Sequence, residues 1–594
     1  MGIFKNFLLN KTIASIKSRM PAFVYKAIFK TLPLLLLSSA FELIGLMIVI
    51  PIISIVINPS IIQSNSVFHY LFTSFHFQSE IAFVFFIFHF VIVIFILKNI
   101  ILFIAYKFQT TIAYDLAEKI AMNRYQSYLM KSHEFYAENN SAVLLRKVTD
   151  IPYTFISSIF IPVVGMITEI IILTIIVVIL TIYNYMLFAS IIAFSAPFFL
   201  LYKKLYKSRL KNASQTQNKQ GDHIYKIGHQ SFESHREIML FNKVAFFKNS
   251  FQATLHAYTK SISFVNFLNL LSPKIVEMFA LLCIYGIFLT GFLFNRNLSS
   301  LSEFLVVFSM STYRIIPSLN KLVLFSNQIK WGSFVFEHFE GPTEDYDETL
   351  SSHPSSNEKL GFNMQIEIKD LWFKYKTQSS PVLKGLNITI RKGETVGIIG
   401  KSGSGKSTLL NILLRLFIEI QGEILVDNRK VDERNISSWY NLCSYVPQNT
   451  ILIDGSVEEN IAFGVYPESI DKQRLLYSIK NAQLEEFVQN LENGLKTHIG
   501  ENGIKISGGQ RQRIGIARAL YHGGTILLFD EATSSLDNET EKILSENIRL
   551  LKEENYTIII IAHRNSSLRS CDNIYQLQDG VFLPPISYTE MESL

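Results

Sequence analysis

The sequence predicts two unlike domains in one chain: a membrane all-α domain of six helices, then an α/β domain built around a phosphate loop. Three observations carry this. Long apolar runs alternate with basic loops through the first half. Gly400–Lys401–Ser402–Gly403–Ser404–Gly405–Lys406–Ser407 reads G-x-x-x-x-G-K-S between a strand-like run, Thr395–Ile399, and a helix-like run, Thr408–Leu414. Farther on, Ile526–Leu527–Leu528–Phe529 ends in the acids Asp530 and Glu531, the pattern of a buried parallel strand whose C-terminal end meets a ligand.

Composition agrees with a membrane half. At 594 residues the chain exceeds one ordinary core; apolar content is 49%, Phe numbers 48, and the 18% charged share is below what a soluble protein of this size carries. The net charge of +6 is modest, and no basic block interleaved with aromatics marks a nucleic-acid surface. Cys283, Cys443 and Cys571 lie far apart without a C-x-x-C pair, so neither a disulfide framework nor a zinc site is indicated.

The N-terminal segment, residues 1–30, carries Lys5, Lys11, Lys17, Arg19 and Lys26 before the first acid, Glu42. It reads as a basic cytoplasmic segment rather than a cleavable signal. The membrane domain covers 31–340. Its first span, Leu32–Ile57, is long enough for a hydrocarbon core of about 30 Å. Pro59–Glu80 has no Lys or Arg and so lies outside, with Val67–Phe75 as a short interfacial helix; His69 and His76 read as surface residues. The second span is Ile81–Tyr106. Lys107–Pro152 is basic, helical in period and inside. The third span, Phe155–Ile182, turns at Tyr183–Asn184–Tyr185 into a fourth ending near Tyr202. A second basic helical excursion follows, Lys203–Asn269, then spans at Pro273–Phe294 and Leu301–Phe325 joined by Asn295–Arg296–Asn297. Two long inner excursions imply helices that project well beyond the bilayer. Residues 341–363, rich in Pro, Ser and Asp, read as a linker, and 364–594 as the α/β domain.

The chemistry of the second half follows from its motifs. A strand, a glycine loop and a helix in that order turn backbone N–H groups and a helix N-terminus towards an anion. In such a cradle Lys406 reaches the outer phosphates of a nucleotide and the Ser407 hydroxyl joins the shell of Mg²⁺. Asp530 is placed to hold Mg²⁺ through water, and Glu531 to polarise an attacking water as general base.

With Ser507–Gly508–Gly509–Gln510 added, residues 364–580 resemble the nucleotide-binding domain of ABC transporters, and the whole chain resembles an ABC exporter half-transporter. Gly400–Ser407 matches Walker A, extended by Thr408; Ser507–Gln510 matches the signature and Ile526–Glu531 Walker B. Gln448 matches the Q-loop glutamine, Asp537 the D-loop aspartate, His563 the switch histidine, and Tyr375 the aromatic that stacks on adenine. Gly500–Glu501–Asn502–Gly503 resembles the loop that precedes the signature in exporters. Ile506 and Ser535 stand where the family usually has Leu and Ala.

The resemblance implies ATP and Mg²⁺ as cofactors, with Ser407, Gln448 and Asp530 towards the metal and Glu531, His563, Asp530 and Gln448 towards hydrolysis. It also implies a second copy of the chain, since one Walker A and one signature make half a machine, and a place in a bacterial inner membrane with the nucleotide-binding domain in the cytoplasm.

Ionisable residues inside the apolar spans are the remaining signal: Glu42, Lys98, Glu169, Glu277, Arg314 and Lys321. Arg314 and Lys321 are seven apart, on one helix face, with Pro317 between them as a kink position. One reading pairs the three acids with the three cations. The other makes Lys98, Arg314 and Lys321 a lining for an anionic head group. Phe41–Glu42, Lys98, Glu169 and Tyr313–Lys321 are similar to the PglK-type flippases of lipid-linked oligosaccharides, which implies a polyprenyl-pyrophosphate substrate. Lys98 stands where an arginine is expected. The alternative is another amphiphile such as lipid A, a drug or a peptide.

Overall fold

The computed structural model describes residues 22–57, 61–64, 66–183, 209–210, 212–293, 298–338, 358–376, 378–500, 503, 506–530, 538–562 and 565–593. The chain divides into two units, Met1–Lys131 with Phe135–Tyr346, and Ser132–Glu134 with Asp347–Leu594.

The described residues of the first unit form helices and the short turns between them. Its described helices include α1 (Ala22–Ile57), α2 (Ser66–Ser74), α3 (Glu80–Leu129), α4 (Ser141–Phe155), α5 (Ile161–Tyr183), α6 (Val244–Leu293) and α7 (Leu298–Trp331). Where a short helix is expected at Val67–Phe75, α2 is found, held by an aromatic cluster in which Phe72 and Phe77 each meet the Phe83 ring edge-on at 5.4 Å. The helices outrun the apolar spans. From Ser79, whose side chain accepts the Ala82 N–H, α3 continues past Tyr106 to Leu129, and α6 begins at Val244 and passes through Pro273. Likewise α7 runs unbroken through Pro317. Pro152 lies inside α4, where it removes one backbone donor, and a π-helical turn, Ile156–Phe160, leads from there into α5. The fourth span, the turn at 184–185, the turn at 295–297 and residues 1–21 lie outside the described residues.

Three described stretches are long and apolar enough to cross a membrane: Phe23–Phe41, Glu80–Leu129 and Ser141–Ile179. Along the apolar part of α3 most side chains are exposed, Phe103 70%, while Phe83, Val91 and Ala105 are buried. Helices α5 and α7 pack closely because Gly165 has no side chain: a Cβ there would sit 2.6 Å from the Phe325 ring.

Beyond the apolar spans the packing becomes polar. The buried Arg146 guanidinium pairs with Asp222 and donates to the Asn218 carbonyl at 3.2 Å. It also fills the space where a Gly221 side chain would lie. His338, at the end of a 3₁₀ turn after α7, bonds the Asn218 side-chain oxygen at 2.8 Å, while Arg124 donates to the His338 carbonyl at 3.2 Å.

The second unit contains two sheets. A four-stranded antiparallel sheet has the order β2 (Leu383–Arg391), β1 (Gln365–Phe373), β4 (Gln421–Val426), β5 (Arg429–Lys430). A six-stranded sheet has the order β10 (Val581–Phe582), β9 (Asn573–Gln578), β3 (Thr395–Ile399), β8 (Thr557–Ile561), β7 (Ile526–Asp530), β6 (Cys443–Val446), parallel from β9 to β6.

Strand β7 shows why near-continuous apolar runs are needed. Ile526 and Leu528 face a core shared with α8 (Lys406–Leu413), and Leu527 and Phe529 face the core under α9 (Gly508–His522). Trp439 anchors the first core, 1% exposed, its indole N–H donating to the Leu413 carbonyl at 2.9 Å. Leu360 and Phe362 are also buried there.

Burial, opposed by Asp222 and reinforced by Lys147, Arg146 and Arg124, holds His338 down from its ordinary 6.5 to about 4. Between those values the unfolded chain binds the extra proton. Stability from this group is therefore complete above pH 6.5 and is lost as pH falls towards 4. Thermal melting of the detergent-solubilised protein from pH 7.5 to 4.5 should show this loss, and His338→Gln should flatten it.

Candidate functional site

The phosphate loop leaves β3 at Gly400 and enters α8 at Lys406. Two glycines are sterically required. A Cβ on Gly400 would lie 2.4 Å from the Leu577 carbonyl oxygen, and Gly405 caps α8 with φ +105°, its Cβ position 2.7 Å from Leu383. The Ser404 N–H donates to the Lys401 carbonyl at 3.1 Å, closing the turn. Lys406 is 4% exposed, and its ammonium donates to the carbonyls of Gly400 at 2.8 Å and Lys401 at 3.2 Å, so the loop curls around its own cation. Ser404 Oγ is buried with no hydrogen-bond partner among the described residues, an orphaned donor inside the cradle. Such an arrangement fits an anion.

Strand register gathers the other groups on the same edge. Ile561 of β8 pairs with Ile398 of β3 on one side and with Asp530 of β7 on the other. The acid is thus level with the start of the loop and two strand spacings away, about 10 Å. Val446 of β6 pairs with Phe529, which puts the exposed Gln448, two residues beyond β6, at that edge too. Tyr445 donates its hydroxyl to Asp530 at 3.2 Å. Burial first, then the Asp530 charge and this bond, raise the phenol above its ordinary value, so it stays a donor at neutral pH. Sequence reasoning passed over Tyr445. The signal available was its place two residues ahead of Pro447, on a strand paired with the acid-bearing one.

Tyr375 follows β1, half-buried, its ring edge-on to Phe373 at 5.1 Å and to Phe417 at 5.6 Å. Its hydroxyl shares a hydrogen bond of 2.8 Å with Thr408 Oγ1 in the first turn of α8. The aromatic platform is thereby tied to the phosphate loop. Lys401, Ser402, Gly403 and Ser407 are exposed on the loop and helix start.

Ser507, Gly508, Gly509 and Gln510 form the start of α9, the first two exposed and the last two partly buried. Ser507 Oγ accepts the Gln510 N–H at 3.2 Å and Gln510 Oε1 accepts the Ser507 N–H at 2.9 Å, a capping box. Neither side chain bonds to the phosphate loop. Glu531, Asp537 and His563 lie outside the described residues. The oxygen donors named for Mg²⁺, the Ser407 hydroxyl, the Gln448 amide and the Asp530 carboxylate, are hard ligands of the kind that ion takes. No cluster of three His, Cys, Asp or Glu able to hold a metal occurs among the described residues.

Residues 383–534 match the ABC transporter family model. The matched stretch holds the phosphate loop, Gln448, the capped Ser507 and Asp530. An ATP-dependent lipid A-core flippase of Francisella tularensis subsp. holarctica is 31% identical over 405 residues, 66% of this chain and 64% of that relative. A lipid A-core flippase of Pseudoalteromonas translucida is 42% identical over 216 residues, 36% of this chain and 37% of the relative. The chain therefore aligns with less than two thirds of these curated relatives. Its fold is that of a bacterial Atm1-family ABC exporter solved with ATP bound: the TM-score is 0.74 over 96% of both chains, at 21% identity.

In the first unit, two of the three candidate substrate residues meet on one acid. Glu169 of α5, 4% exposed, receives Lys321 Nζ at 2.9 Å, Ser318 Oγ at 2.7 Å and Arg314 at 3.4 Å, all from α7. Lys98 stands apart, its ammonium 4.7 Å over the Phe95 ring. Glu277 pairs with Lys274 one turn away at 3.1 Å and not with the three cations, which corrects its expected share in neutralising them. Adjacent position on one exposed helix face decides that pairing. The Glu42 side chain lies outside the described residues.

Gly405→Val should lower ATP affinity at least about tenfold, since both the backbone angle and the Leu383 contact oppose it. Tyr375→Phe should keep the ring but lose the Thr408 bond, with a smaller loss of about twofold to fivefold. Equilibrium binding of a fluorescent ATP analogue checks both.

Proposed function

We propose that this chain is one half of an ATP-driven exporter that moves an amphiphile with a phosphate-bearing head group from the inner to the outer leaflet of a bacterial inner membrane. The single observation that carries the ATPase part is the register of β3, β8, β7 and β6, which brings loop, acid and glutamine to one edge.

Lys406 and the loop amides would hold the nucleotide phosphates, and Tyr375 would carry the adenine. Ser407, Gln448 and Asp530 would hold Mg²⁺, whose charge offsets that of the transferred phosphoryl group. Glu531 is the proposed general base and His563 its partner at the γ-phosphate. Each chain brings one loop and one signature helix, so the working unit is a homodimer with Ser507–Gln510 and Asp537 of one copy facing the other's nucleotide.

The lipid A-core flippases among the relatives favour a phosphorylated glycolipid as cargo. A polyprenyl-pyrophosphate-linked oligosaccharide is the second reading, favoured by the short helix α2 between the first two spans. Both cargoes carry phosphate, and the partly exposed Lys321 ammonium on α7 is placed to meet it.

ATP hydrolysis in lipid nanodiscs, with lipid A, a polyprenyl-pyrophosphate glycan or a neutral hydrophobic drug added, separates the readings. Stimulation by lipid A alone supports the first, and by the polyprenyl lipid alone the second. Stimulation by the neutral drug alone overturns both. Glu531→Gln should abolish hydrolysis in every arm.

A further inference from the structure

Glu169 collects three donors spaced along one face of α7, Arg314, Ser318 and Lys321, and the three are unlike in access. Ser318 is 0% exposed and the Arg314 side chain 11%, whereas that of Lys321 is 39% exposed. The close contact of Gly165 with Phe325, one turn along each helix from Glu169 and Lys321, holds α5 and α7 in the register that makes this meeting possible.

A carboxylate inside a membrane domain is costly unless it is paired. Here it would keep Ser318 and Arg314 if Lys321 left. Lys321 is a point charge on a flexible stem, able to swing to a new oxygen, while the buried guanidinium and hydroxyl are fixed.

We propose that Glu169 is an internal stand-in for the cargo's phosphate: it holds the Lys321 ammonium until an anionic head group takes that ammonium away, and so sets the threshold for phosphate-bearing cargo. This rests on the exporter reading above. Glu169 is a positioning residue, acting through Lys321. The exchange moves no proton and breaks no covalent bond. One ion pair is traded for another, and the acid remains held by its two buried donors.

Of the two cations paired with Glu169, only Lys321 is exposed enough to exchange the carboxylate for cargo phosphate. In Glu169→Gln the amide oxygen still accepts from Ser318, but the ammonium loses its counter-charge and is available to phosphate. The half-maximal concentration of lipid A for stimulating ATP hydrolysis in nanodiscs should fall roughly threefold or more. Lipid A stripped of its phosphates should show no such fall. In Lys321→Met the half-maximal concentration of phosphorylated lipid A should rise towards that of the dephosphorylated form. Running the same series with polyprenyl pyrophosphate tells which phosphate lipid benefits.

The idea is overturned if wild-type protein responds to phosphate but Glu169→Gln leaves the half-maximal concentration unchanged. It is equally overturned if the variant shifts phosphorylated and dephosphorylated lipid alike, as a purely structural clamp would. Should Glu169→Gln fail to fold, Lys321→Met decides: no change in the phosphate preference rejects the exchange. If no phosphate lipid stimulates the wild type, the exporter reading itself falls, and this inference with it.

Discussion

The in-register parallel pairing of β3, β8 and β7 is the constraint on which the second unit depends. Ile398, Ile561 and Asp530 are neighbours across the sheet, so three chain segments end level. What leaves those ends is decided by covalent sequence: a glycine loop from β3, an acid from β7. A slip of one residue on β7 would exchange its two faces, moving Leu527 and Phe529 into the core that Ile526 and Leu528 occupy. Burial on both faces thus fixes the register, and the register fixes the site. The ligand groups need no packing of their own to be correctly spaced.

Much of this was legible from residues alone, because the loop and the acid-tipped strand are local patterns whose geometry follows from glycine sterics and strand periodicity. The short helix α2 was expected within Pro59–Glu80, the stretch without Lys or Arg between the first two spans. The bonds that tie the site together were not. Tyr375 to Thr408 and Tyr445 to Asp530 join residues far apart in the chain, and only strand order brings them near. Nor could spacing assign the counter-ions. Glu169 and Glu277 are both acids in apolar helices, yet one faces α7 across a glycine contact and the other turns to its own helix surface.

The two units solve burial of charge differently. In the second, Lys406 is satisfied by carbonyls of the loop it belongs to, a local solution that leaves the helix start poised for an anion. In the first, Arg146 and Arg314 depend on acids from other helices, Asp222 and Glu169. Charges of that second kind couple helices, so a change at one is felt along the others. Gly221 and Gly165 lie beside these two sites, and in both places a missing side chain brings the helices close enough for charge to bridge them.

The capping box at the start of α9 has a further implication. In it the Ser507 oxygen acts as acceptor, taking the Gln510 N–H, which leaves the hydroxyl proton uncommitted. An aspartate would cap the helix as well, but its carboxylate has no proton to offer. A serine can therefore hold its own helix and hand a hydrogen bond outward at once. Recognition of an anion at this point would ask for no unwinding, no loss of the cap and no change of rotamer.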